Sequence, residues 1–145
     1  MKIDELRDHA ARDMTFDGTE LDRESLRVPQ LHNKYLNFLM DERLTSKALQ
    51  HEYDKLRRTK WEYYTGKMSH EQLRELGWQP FALRILKQDV ELYMNSDTDL
   101  LAIRAKIEVQ NEKVEYLESL IKSIMNRHWA IRSAIDWRKF TNGVN

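Results

Sequence analysis

Cysteine is missing from this 145-residue chain, which excludes disulfide staples and thiol catalysis and fits a reducing compartment. Glycine and proline are scarce, at four and two positions. A sandwich or barrel needs far more turn residues, so the composition is that of an all-α protein. Four scattered glycines also do not make a Walker loop or a dinucleotide-binding turn. Net charge is absent as well: 24 cations balance 24 anions, so any attraction to nucleic acid or membrane has to be local. No apolar run approaches membrane length, and acids stand within the first five residues where a secretory leader would be basic and then apolar. Together these features predict a soluble intracellular protein organised as one helical domain over 1–145, with no contact to membrane.

Catalytic and metal-binding patterns are missing too. His9, His32, His51, His70 and His128 never fall four apart, and His70-Glu71 is followed by Arg74 where a zinc-protease helix has its second histidine. Asp97 and Asp99 form a carboxylate pair, but they stand in front of a helix, where capping is their expected role. No cofactor, metal or catalytic residue is expected, and the chain does not read as an enzyme.

What the chain does have is uneven charge. Lys55 to Lys67 reads Lys-Leu-Arg-Arg-Thr-Lys-Trp-Glu-Tyr-Tyr-Thr-Gly-Lys, five cations and three large aromatics against one anion. By segment, Met1–Glu24 carries about −4, Lys55–Lys67 about +4, Met68–Asp99 about −3 and Arg127–Asn145 about +3. Two readings of the basic stretch compete. Cations would neutralise phosphates while rings offer unpaired bases a flat face; or the stretch is the solvated end of an amphipathic helix whose rings pack inward. At 100° per residue Leu49, Tyr53, Leu56, Lys60 and Tyr63 share a face, so Lys60 interrupts an apolar stripe and requires an anion or an interface partner. Arg57, Trp61 and Tyr64 form the adjoining ridge. Gly66 supplies the expected helix stop.

Along the chain, a first helix is expected over Ile3–Met14, broken by Asp17-Gly18. Thr19 with Asp22 offers the cap and first-turn acid of a second, long helix. Pro29 either opens that helix or kinks a continuous one, and the unbroken spacing through Leu31, Tyr35, Phe38, Leu39, Leu49, Tyr53 and Leu56 favours the kink. Ser69-His-Glu-Gln72 is a capping box and Gly77 a stop, which brackets a two-turn helix. Phe81–Met94 is compatible with helix or strand. Ser96 and Asp97 compete to cap the helix expected from Leu100 onward.

The strongest periodicity lies in that last helix. Leu100, Ile103, Ile107, Gln110, Val114, Leu117, Ile121, Ile124, His128, Ile131 and Ile135 alternate steps of three and four, as in a coiled-coil seam. Gln110 and His128 are polar seam positions of the kind that set register. Leu120, Met125 and Ala134 widen the stripe, so the helix must bury more than a dimer seam provides. Packing on its own second helix or an assembly of several subunits would each meet that need.

Three blocks carry a family resemblance: Lys34-Tyr-Leu-Asn37, Arg58-Thr-Lys60-Trp-Glu-Tyr-Tyr-Thr-Gly66, and Trp129-Ala-Ile-Arg132 with Asp136-Trp-Arg-Lys-Phe140. In order, size and helical pattern the chain resembles the UvsY recombination mediators of T-even-type bacteriophages, least so over Met68–Asp99. The resemblance implies an elongated all-α subunit with a long N-terminal helix and a C-terminal coiled-coil-like helix, assembled into a ring-like homo-oligomer of six or seven. It implies binding of single-stranded DNA, and partnership with a RecA-like recombinase and the phage single-strand-binding protein in the cytoplasm of an infected bacterium. The expected layout is helices over 3–67, a connecting region over 68–99 and an oligomerisation helix over 100–141. The residues expected at DNA are Lys55, Arg57, Arg58, Lys60, Trp61, Tyr64 and Lys67, with Tyr63 packing inward. Arg58 and Lys60 match the family's alternating cations, in swapped order, which keeps the charge and changes the contact geometry. Assembly is expected through Leu117, Ile121, Ile124, Ile131 and Ile135. The rival reading is a coiled-coil adaptor whose basic patch meets an acidic protein.

Overall fold

The structure, a computed structural model, describes residues 1–143; residues 144–145 of the expected domain lie outside the described residues. In chain order the elements are α1 (Ile3–Asp13), α2 (Leu21–Tyr64), α3 (His70–Leu76), a 3-10 turn (Lys87–Asp89), α4 (Val90–Asn95), α5 (Thr98–Met125) and α6 (Arg127–Thr141). No strand occurs among the described residues, so the all-α class expected from composition is the class observed.

Local chemistry accounts for most boundaries. The Glu5 carboxylate accepts the Lys2 N–H at 2.9 Å and closes the start of α1. Leu6 and Ala10 form its buried edge. α2 runs 44 residues straight through Pro29, so the proline lies within a continuous helix, at the cost of one intrahelical hydrogen bond. Its entry differs from expectation: Asp17, not Thr19, holds the turn, accepting the Thr19 N–H at 2.9 Å and its hydroxyl at 2.6 Å. Gly66 and Gly77 end α2 and α3 in the left-handed region, at φ 74° and 69°, where a β-carbon is disfavoured. Ser69 and Gln72 cap α3 reciprocally, at 3.2 and 3.1 Å. After Gln79-Pro80 the chain is neither helix nor strand until Lys87, and only Val90–Asn95 of the ambiguous segment is α-helical. Proline forces the extended step, and the Tyr63 hydroxyl holds it by donating to the Gln79 carbonyl at 2.7 Å.

The chain divides into two compact units, Met1–Leu44 with Asn111–Asn145, and Thr45–Gln110. In the first, Leu6, Leu31, Tyr35, Leu39, Leu117, Ile121 and Ile124 form one core. The C-terminal periodicity is therefore satisfied within the chain through Ile124. Ile131 is buried as well, and Ile135 is partly exposed. Leu117, Ile121, Ile124 and Ile131, the residues expected at an assembly seam, are thus buried within the chain itself. Of the two ways to bury a wide stripe, the fold uses packing on its own α1 and α2.

The five-heptad pattern is also interrupted. Asn126 separates α5 from α6, and the polar seam position passes from His128 to Arg127, which is buried. His128 Nδ1 lies 2.6 Å from the Met125 carbonyl. Arg127 donates to Glu24 at 2.7 Å and to the Met14 and Thr15 carbonyls at 3.3 and 3.2 Å. It thus binds the start of α6 to the chain between α1 and α2. Burial would raise the Glu24 carboxyl, but the Asp17 N–H, Arg127 and Arg27 outweigh it and hold the group below the usual carboxylate range.

The second unit has a smaller apolar core of Val90, Met94 and Leu100, with Tyr53, Leu56, Tyr64 and Ile85 packed against it. A ring cluster extends it. Tyr63, Trp78, Phe81, Tyr93 and Tyr64 meet at centroid distances of 5.0 to 5.8 Å, so packed aromatics add ring contacts to the aliphatic core.

Candidate nucleic-acid interface

The last turns of α2 place the basic stretch, and the structure sorts its cations by burial. Lys60 is only 6% exposed. Its ammonium lies 2.8 Å from Asp99 and 3.1 Å from Asp97, and 4.1 Å from the Trp78 ring centroid. The requirement that an anion meet this cation is thus fulfilled inside the chain. Asp97 has several duties at once. One oxygen accepts the Asp99 and Leu100 N–H groups at 2.9 and 3.0 Å and caps α5; the other accepts the Tyr64 hydroxyl at 2.7 Å and pairs with Lys60. Burial alone would raise the Asp97 carboxyl, but Tyr64, the Leu100 N–H and Lys60 hold it below the usual range. Lys60 is the mirror case: burial favours loss of its proton, and the Asp99 and Asp97 hydrogen bonds outweigh burial and raise it. Burial and Asp97 together push the Tyr64 phenol up.

Lys60 and Tyr64 therefore stand apart from the other residues expected at DNA. The polar atoms of both are bound to Asp97. The sequence correctly marks Lys60 as a cation in need of a partner, and the partner is a helix cap far along the chain.

The remaining cations face outward. Arg58 is exposed over 83% of its side chain, with Glu62 3.5 Å away. An ion pair of that length and exposure is worth only about 0 to 1 kcal/mol and yields readily to a phosphate. Arg57 forks onto Glu91 at 2.9 and 3.1 Å, also at the surface. Lys55 is exposed and has no ion pair among the described residues. Trp61 remains 38% exposed, and Lys67 reaches back over its indole at 4.3 Å from the centroid. The outward set is thus Lys55, Arg57, Arg58, Trp61 and Lys67.

Two hollows flank Trp61. One, of about 240 Å³, is lined by Asp54, Arg57, Arg58 and Trp61. The other, of about 740 Å³, is bounded by the same indole and by Lys67, Phe81, Arg84 and Lys87 among others. Arg84 and Lys87 were hidden in the sequence by the net negative charge of Met68–Asp99. Their signal was local: Phe81-Ala-Leu-Arg-Ile-Leu-Lys87 carries two cations and no anion. Among the described residues no cluster of histidine, aspartate and glutamate could hold a metal ion, and no helix is long and apolar enough to cross a membrane.

Fold and site define an all-helical protein with an outward-facing cationic surface around a half-exposed tryptophan. Three crystal structures of the bacteriophage T4 recombination mediator protein UvsY share this fold. They superpose with TM-scores of 0.81, 0.84 and 0.78, cover 97%, 98% and 94% of this chain and 99%, 98% and 98% of theirs, and are 18% identical to it. Comparison with curated proteins gives no match. The family model described as "Recombination, repair and ssDNA binding protein UvsY" matches residues 9–144, and the chain belongs to that family, whose role is in recombination, repair and single-stranded-DNA binding.

Proposed function

We propose that this chain is a recombination mediator: it binds single-stranded DNA without sequence preference and promotes loading of a RecA-like recombinase onto DNA covered by a single-strand-binding protein, in phage homologous recombination and repair in the host cytoplasm. The observation that carries this reading is the outward set at the end of α2, in a chain of the UvsY family. Phosphate contacts from Lys55, Arg57, Arg58 and Lys67 and stacking on Trp61 accept any base, because neither reads base edges. One such site on a neutral subunit is weak and salt-sensitive. Repetition in a homo-oligomer of six or seven makes later contacts intramolecular and raises affinity without new chemistry. Nothing in this mechanism calls for catalysis.

Assembly then needs a surface other than the seam already buried within the chain. α6 offers one. Trp137 and Phe140 are 65% and 74% exposed, with Trp129 at 58%, and the first two rings lie 5.8 Å apart. Exposed rings in such number mark an interface between protein chains. Trp137→Ser with Phe140→Ser is expected to reduce the assembly to smaller species and leave the helix content unchanged, as read by sedimentation velocity and circular dichroism.

The test of function is recovery of the recombinase's DNA-dependent ATPase on single strands pre-covered with single-strand-binding protein. The parent should restore it and Arg58→Ala should not. An adaptor that binds an acidic protein would leave the covered strand inhibited in both cases.

A further inference from the structure

We infer that the 81–87 segment forms the second wall of the strand-binding site, so that a single strand passes from Arg58 across Trp61 into the larger hollow and is held there by Arg84 and Lys87. This inference rests on the single-stranded-DNA reading of the α2 end and extends it to residues outside that helix.

Three observations point to a polyanion with flat bases as the occupant. The larger hollow has cations at Lys67, Arg84 and Lys87, and no carboxylate borders it. Arg84 and Lys87 have no ion pair among the described residues and are exposed, unlike Lys60 and Arg57, whose charges are matched by Asp97, Asp99 and Glu91. The hollow's charge is therefore left unmatched by the chain itself. Trp61 borders both hollows, so the cations that line each share one ring as a neighbour. That combination of charge and ring suits a chain of alternating phosphate and base. An acidic peptide would use the cations but has no flat base to lay against the ring. At about 740 Å³ the larger hollow is also of ligand-holding size. Phe81 bounds it and packs edge-on against Tyr64, 5.0 Å between centroids at 87°, so the wall bearing Arg84 is braced by the ring cluster.

The experiment is anisotropy of labelled oligothymidine across a salt series, with the full-length parent, Arg84→Ala/Lys87→Ala and Arg58→Ala, each checked by circular dichroism. The double variant should bind at least about tenfold more weakly at low salt. Its salt slope should be shallower by about 1.4, two contacts at about 0.7 each for a single strand. An oligonucleotide carrying 5-iododeoxyuridine should, on irradiation, couple to Trp61 or Phe81 in the parent. If the parent and the double variant bind alike while Arg58→Ala is weakened, the second wall is refuted and the α2 site stands. Polyglutamate competing as well as oligothymidine would refute the nucleic-acid occupant. If the parent does not bind at all, the functional reading itself falls and the second wall falls with it.

Discussion

Asp97→Ala is expected to destabilise the unit Thr45–Gln110 by about 4 kcal/mol, from a buried cation that loses its buried anion and a helix that loses its cap. The substitution leaves Lys60 with Asp99 alone, whose side chain is more than half exposed. It also frees two N–H groups at the start of α5 and removes the acceptor of the Tyr64 hydroxyl. Lys60→Met should cost less than Asp97→Ala, because Asp97 would keep its three other donors. Urea unfolding measures both; a loss below about 1 kcal/mol for Asp97→Ala would contradict the placement of Lys60 inside the fold.

The same network sets a pH dependence. Asp97, Asp13 and Glu24 are all held below their ordinary range. A carboxyl depressed in the fold adds stability above its unfolded value, about 4, and that stability is lost as pH falls through the lower folded value. Lys60, raised in the fold, adds stability below its unfolded value and loses it only as strongly alkaline pH passes the folded one. Stability should therefore be flat across neutral pH and fall in acid below about pH 4.

The second large effect belongs to the other unit. Arg127→Met should cost about 3 to 5 kcal/mol, since it strands the buried Glu24 carboxylate and releases two backbone carbonyls. Arg27 stays on Glu24 at 3.1 Å and keeps the loss from being larger. Arg127 Nε is itself buried without a partner, so the pair is imperfectly solvated by the protein. Hence Arg127→Met/Glu24→Met should be more stable than Arg127→Met alone, because a packed apolar pair replaces a stranded charge. If the double substitution is the less stable of the two, Glu24 is not the partner that matters.

Local signals in the sequence were legible because they are local. The Ser69–Gln72 box and the Gly66 and Gly77 stops rest on a few adjacent residues, and all are present; of the two competing caps Ser96 and Asp97, it is Asp97 that caps α5. The periodicity of α5 announced burial, but periodicity does not say against what, and Leu117, Ile121 and Ile124 met their own chain. The Asn126 break lay below the resolution of a seam, since a step to 127 keeps helical spacing almost as well as one to 128. At the basic stretch, pattern named Lys60 as a problem without naming Asp97 as its answer, because the two are distant in sequence. Arg84 and Lys87 were obscured by averaging over an acidic segment. Charge sums lose what unpaired cations keep.

The most direct test of this division between buried and outward cations is the salt dependence of oligothymidine binding by the parent, Arg58→Ala and Lys60→Met, each matched for assembly mass and compared with its urea stability. Arg58→Ala should keep parent stability and lose affinity with a shallower salt slope, by about 0.7 per contact. Lys60→Met should lose stability and, while folded, keep the parent slope. A flattened slope for folded Lys60→Met with an unchanged slope for Arg58→Ala would place the DNA contact on the buried lysine and contradict the division.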